Sequence, residues 1–89
     1  MLDDSTQLVL RPGYRLQWEP SQESWVLLFP EGMVVLSETA HVLLDLCREP
    51  ISQAALIQKV RSLYPGQDVD GDIREFVQDA YEQQWLQTL

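Results

Sequence analysis

The hydrophobic pattern of this chain changes period once, at Ser37, and that switch constrains the fold more than any other feature. Before it, apolar residues recur every second position or in short β-branched runs; after it they recur at i, i+3, i+4 and i+7. From Tyr14 to Glu19, Tyr14, Leu16 and Trp18 alternate with Arg15, Gln17 and Glu19, the pattern of a half-buried strand. Trp25-Val26-Leu27-Leu28-Phe29 is a continuous apolar run between turn residues, which suits a strand covered on both faces. After the Pro30-Glu31-Gly32 turn, Met33-Val34-Val35-Leu36 makes a third short strand. Connections this short permit only an antiparallel meander, because a parallel crossover needs a dozen or more residues.

Ser37 is placed to cap a helix whose inward stripe is Ala40, Leu43, Leu44 and Cys47, with Glu38 in its first turn and Pro50 beyond its end. A second helix is expected from Ser52, its N-cap, with Ile51 and Leu56 spaced as a hydrophobic staple. Its stripe reads Leu56, Val60, Leu63 and Tyr64, closed by Pro65-Gly66. The third helix is expected to begin between Asp68 and Asp72, to turn Ile73, Phe76, Val77 and Ala80 inward, and to fade near Gln84. The first ten residues show no period and read as a flexible lead-in, 1–10, before the Arg11-Pro12-Gly13 turn. Residues 11–89 then form one α+β domain: a three-stranded antiparallel meander followed by three helices, in the outline of a small winged helix.

Composition excludes several classes. Fourteen Asp and Glu against six Lys and Arg leave a net charge of −8, which disfavours nucleic acid and an anionic membrane surface. A winged-helix DNA binder would place its cations on the second or third helix. Those helices hold only Lys59, Arg61 and Arg74 against Asp72, Glu75, Asp79 and Glu82. One cysteine, Cys47, cannot form an intrachain disulfide, and no apolar run approaches a membrane span, so the expected location is cytoplasmic.

No catalytic constellation is expected, and no cofactor. His41 and Cys47 are six residues apart on one helix and face different ways. Cys47 on an apolar stripe reads as a small buried hydrophobe, and His41 as a surface or rim residue. Asp68-Val69-Asp70-Gly71-Asp72 imitates the start of a calcium loop. Ile73 stands where the sharp turn needs glycine, and Asp79 stands where a bidentate Glu is required, so no metal is expected. The expected work of the three acids is helix capping. Trp18 and Trp25 flank one hairpin and read as cross-strand core partners.

The candidate site follows from topology. The third strand of a meander lies at an edge, and Met33, Val34, Val35 and Leu36 include neither Lys nor Pro to block it. A guest strand could add there, with its side chains entering a groove against the third helix at Ile73, Phe76 and Val77. The simpler role for those three is core packing. The same edge also suits a different class of protein, a small assembly module that homodimerises through it.

Two stretches carry a family resemblance: Arg11-Pro12-Gly13-Tyr14-Arg15-Leu16-Gln17-Trp18-Glu19 and Val26-Leu27-Leu28-Phe29-Pro30-Glu31-Gly32-Met33. With Tyr64-Pro65-Gly66, Asp72-Ile73, Phe76-Val77, Ala80 and Trp85, the chain resembles PqqD, the peptide chaperone of pyrroloquinoline quinone biosynthesis. It departs from the family at Arg48-Glu49-Pro50, where an Asp-Gly turn is common. The resemblance implies the recognition module of ribosomal-peptide (RiPP) maturation systems, non-catalytic and without a cofactor. Its implied partners are the precursor peptide PqqA and the radical S-adenosylmethionine enzyme PqqE, to which it presents that peptide. The resemblance implies that PqqE joins a glutamate and a tyrosine of PqqA. The lone cation on the third helix, Arg74, is therefore expected near the groove rim, where it would lessen repulsion of an acidic peptide residue, or on the solvent face, where it would only form i,i+3 or i,i+4 contacts with Asp70 or its neighbours. The peptide-binding set is therefore Met33, Val34, Val35, Leu36, Ile73, Arg74, Phe76, Val77 and Ala80.

Overall fold

A computed structural model describes residues 2–89. The strands β1 (Gln7–Leu10), β2 (Arg15–Glu19), β3 (Ser24–Phe29) and β4 (Gly32–Val35) come first. Helix α1 (Glu38–Leu46), strand β5 (Ile51–Ser52), helices α2 (Gln53–Leu63) and α3 (Asp70–Glu82) and strand β6 (Leu86–Thr88) follow. The strands form two antiparallel sheets, β2-β3-β4 and β5-β1-β6.

The first sheet is the meander expected from the period-two pattern, with Trp18 opposite Trp25, Leu16 opposite Leu27 and Leu27 opposite Val34. Leu16, Leu27 and Leu36 share one face and enter the common core with Leu43 and Leu44 of α1, Leu56 and Val60 of α2, and Ile73, Val77 and Ala80 of α3. Val26, on the opposite face, is also fully buried, so β3 is covered on both sides. Ser37 and Ser52 cap α1 and α2, their hydroxyls each accepting an amide three residues on, from Ala40 and Ala55, at 3.1 Å.

The second sheet departs from the sequence reading. Gln7–Leu10 is not a lead-in but the central strand of β5-β1-β6, and Leu8 is fully buried. Leu8 faces Ile51 on one side and Thr88 on the other. Met1, the first residue of the expected lead-in, lies outside the described residues. The preceding turn is tied down too: the amides of Gln53 and Ala54, at the start of α2, donate to the carbonyls of Thr6 and Asp4 at 3.1 Å. Four residues of strand carry no readable period, and this one forms only because its neighbours arrive from positions 51 and 88.

Helix α3 ends near Gln84 as expected, its last residue being Glu82 and its C-cap Gln83. Gln84 is left-handed, φ 66°, while the Trp85 amide donates to the Ala80 carbonyl and the Gln84 amide to the Tyr81 carbonyl. That pair of bonds is a Schellman closure, and it redirects the chain into β6. Two further expectations change. Leu63 is 55% exposed, and Ile57 takes the inward place instead. Trp18 pairs edge-to-face with Trp25 at 5.8 Å but is 47% exposed, a surface aromatic rather than a core one.

Candidate functional site

The Leu36 amide donates to the Trp25 carbonyl at 2.9 Å, which sets the parity of the ladder between β3 and β4. Hydrogen-bonded pairs fall at every second position, so Val34 exchanges bonds with Leu27 and Gly32 with Phe29. The N–H and C=O groups of Met33 and Val35 consequently point away from β3. Among the described residues no strand lies on that side, because β4 ends the sheet. Met33 and Val35 are 42% and 49% exposed, and both face away from the core. Val34 and Leu36 face the other way, toward α3.

That inner side opens into a cleft of about 390 Å³. One wall is Val34, Leu36 and Ser37, and the other is Phe76, Asp79, Ala80 and Glu82 of α3, with Trp85 also lining it. A second cavity of about 330 Å³ lies between α1, α2 and α3, lined by Leu43, Val60, Tyr64 and Ile73 among others. The two cavities adjoin, sharing Ser37, Ala40 and Phe76 in their linings, and together they are called the groove below.

The structure brings most of the sequence-derived set together, but not all of it. Met33 and Val35 supply the open backbone edge; Val34, Leu36, Phe76 and Ala80 line the cleft, and Ile73 lines the inner cavity. Val77 is fully buried and lines neither. Arg74 is absent from the groove as well. Its guanidinium grips Asp4 in a two-pronged contact, Nη1 to Oδ1 at 2.5 Å and Nη2 to Oδ2 at 3.3 Å, tying α3 to the N-terminal turn. This pairing holds the Asp4 carboxyl below its usual pKa, chiefly through the Arg74 hydrogen bond and next through one from Gln53. The sequence reading missed Ala40, Asp79, Glu82 and Trp85. Helical spacing carries the signal for two of these, since Asp79 follows Phe76 at i+3 and Glu82 follows Asp79 at i+3.

The remaining candidates do no visible chemistry. Cys47 is buried and its thiol is pushed up to about 12 by desolvation, the reverse of a reactive thiolate. His41 stacks face to face on Trp25 with centroids 3.9 Å apart. Asp68, Asp70 and Asp72 do not cap α3, whose cap position is Val69 with no side-chain bond. Asp70 instead pairs with Arg61 of α2, which lowers its pKa, while Asp70 and Asp72 still sit in the first turn, where the macrodipole favours them. Among the described residues no three His, Cys, Asp or Glu side chains converge as metal ligands. No described helix is long and apolar enough to cross a membrane.

The family model described as "Coenzyme PQQ synthesis protein D (PqqD)" matches residues 24–86, from the start of β3 to the start of β6. The chain belongs to the PqqD family. Relatives agree over nearly its whole length. A PqqA binding protein of Klebsiella pneumoniae (strain 342) is 45% identical over 89% of this chain and 87% of its own. One of Kluyvera intermedia is 40% identical over 97% and 95%. One of Methylococcus capsulatus is 34% identical over 99% and 95%. The fold is also that of the PqqD truncation of Methylobacterium extorquens PqqCD, a solution NMR structure described as a functional, stand-alone RiPP recognition element. It superposes with a TM-score of 0.79 over 98% of this chain and 95% of that one, at 21% identity.

Proposed function

We propose that this chain is a non-catalytic peptide chaperone of pyrroloquinoline quinone biosynthesis. It binds the precursor peptide PqqA as an added strand along β4 and presents it to the radical S-adenosylmethionine enzyme PqqE, in the cytoplasm. The observation that carries this reading is the open backbone of Met33 and Val35 beside a cleft with Leu36, Phe76 and Ala80 in its walls, in a chain whose relatives are named PqqA binding proteins. Two amides and two carbonyls on that edge offer up to four hydrogen bonds, on the order of 2–6 kcal/mol net. Ordering six peptide residues costs about 6–12 kcal/mol in backbone entropy. Strand pairing alone therefore falls short, and two or three apolar anchors at about 1.5–3 kcal/mol each must make up the difference. The groove supplies a place for them at Phe76, Ala80 and Leu36.

Titration with synthetic PqqA followed by amide chemical shifts tests this directly. Saturable shifts are expected at Met33, Val35, Ala40, Phe76 and Ala80. Shifts confined to β6 or to the outer side of α2 would sink the strand-addition model. The same open edge supports a second reading, homodimerisation through β4. Sedimentation at rising concentration separates the two, since a dimer built on this edge should dissociate as peptide is added.

A further inference from the structure

The groove has a charge pattern opposite to the one the sequence suggests. Three carboxylates line it, Asp72, Asp79 and Glu82, and no Lys, Arg or His lines either of its two cavities. The cations nearest in sequence are already engaged, Arg74 with Asp4 and Arg61 with Asp70. Among the described residues none of the three groove acids belongs to an ion pair, and Asp79 accepts no side-chain hydrogen bond. Asp79 and Glu82 also sit on the last turn of α3, where the unpaired carbonyls add negative potential. The opposite end of the groove is apolar apart from Asp72 and a few uncharged polar groups, with Leu43, Val60 and Ile73 at its base. From Asp72 to Glu82 the helix advances about 15 Å, the length of roughly four to five extended residues. One short segment of bound strand can therefore touch both ends.

We infer that the groove selects its peptide by charge as well as by shape. It takes a strand that presents a lysine or arginine to Asp79 and Glu82 and bulky apolar side chains to the pocket beyond Phe76, and it discriminates against a strand with a carboxylate in the groove. This rests on the reading that the groove holds the precursor peptide, and it refines which of that peptide's residues enter. The glutamate that the enzyme modifies then lies outside the groove, since nothing there could neutralise it. The acids fix register: a peptide shifted by one residue turns its cation to the outer face, beside Met33 and Val35, and leaves the two carboxylates unanswered.

The test compares affinities of synthetic PqqA for the parent and for Asp79→Asn, Glu82→Gln and the double variant, at low and at high salt. Both side chains changed are exposed, so the fold should be preserved, which amide spectra check. The double variant should bind roughly three- to tenfold more weakly at low salt, with the difference shrinking at high salt. Peptides in which each Lys or Arg is replaced in turn by Gln complete the cycle. One of them should lose affinity for the parent but lose nothing further for the double variant. Unchanged or tighter binding by the double variant overturns the charge selection. Val35→Pro and Ala40→Trp, which block the edge and fill the groove, tell this failure from a deeper one. If both still bind like the parent, the groove reading itself is wrong and this inference goes with it. If both lose binding while the acid variants keep it, the groove stands and only the charge selection falls.

Discussion

The two sheets of this protein have three strands each and are opposite in construction. Sheet β2-β3-β4 is drawn from one stretch of chain, residues 15–35, and each strand meets the next across a short turn. Sheet β5-β1-β6 is assembled from residues 7–10, 51–52 and 86–88, so every pairing closes a loop of more than thirty residues. The local sheet is the one that leaves an open edge over the groove. The composite sheet is tied to the rest of the molecule: Leu10 donates to the Cys47 carbonyl at 2.7 Å, Arg11 to the Trp85 carbonyl at 2.9 Å and Leu89 to the Gln7 carbonyl at 3.2 Å. A sheet whose register is set by its own turns can spare an edge for a partner. One whose strands come from distant segments holds those segments together, and in the turn just before it Asp4 pairs with Arg74 of α3.

The largest expected effect lies at the centre of the composite sheet. Leu8→Ala should lose about 2–5 kcal/mol in chemical denaturation, the usual range for emptying a fully buried leucine site. Met33→Ala on the open edge should lose far less. Equal losses would mean that the two sheets are equally structural and would break the contrast.

Next come two neighbouring prolines in the local sheet. Val34→Pro removes an amide that pairs with Leu27 and should cost about 1–3 kcal/mol of stability. Val35→Pro removes an amide that points to open solvent, so the fold should survive while peptide affinity falls at least about tenfold. Thermal melts and peptide titrations on both variants check this, and a reversal of the pattern would show the ladder parity to be wrong.

Ser52 belongs to β5 and caps α2, whereas Ser37 follows β4 and caps α1. Each Ser→Ala change should cost about 0.5–2 kcal/mol. The loss should be greater at Ser52, whose hydrogen bond is part-buried and whose backbone is in register with Gln7. Gln84→Gly should act in the other direction, stabilising by about 0.5–1 kcal/mol, because a left-handed residue entering β6 carries a side chain that glycine lacks.

The smallest effect is expected at the exposed Asp4–Arg74 pair. The Asp4 pKa is lowered in the folded state, so its contribution is fully present above the unfolded carboxyl's value and is lost as pH falls through the folded one. Asp70, lowered by Arg61, behaves the same way. Asp4→Asn should therefore flatten the acid limb of the stability curve slightly and leave neutral-pH melting nearly unchanged. A large loss at neutral pH would mean that the tie to α3 matters more than its exposure suggests.

Much of this architecture was legible from single residues. The alternation from Tyr14 to Glu19, the doubly apolar run from Trp25 to Phe29, and Ser37 and Ser52 ahead of helical stripes all mark elements that form where they are expected. Such signals are local: a side chain's face and a cap's hydroxyl depend on neighbours within four residues. The edge strand was legible for the same reason, as was the presence of Phe76 and Ala80 on the side of α3 that faces it. Leu8, Gln84 and Leu86 gave no comparable signal. A four-residue strand has too few positions to display a period, and a Schellman closure without glycine lacks its usual mark.

The sequence by itself determined the local meander, the three helices, the serine caps of α1 and α2 and a strand free at its edge, because nearest-neighbour geometry and burial period suffice for each. The tertiary structure alone decided that Gln7–Leu10 sits between Ile51–Ser52 and Leu86–Thr88, that Arg74 spends its charge on Asp4, and that the groove is lined by acids rather than cations. Each of those depends on which distant groups meet across the folded core. Each closes a long loop, and no window of neighbouring residues records which distant group will lie at its other end.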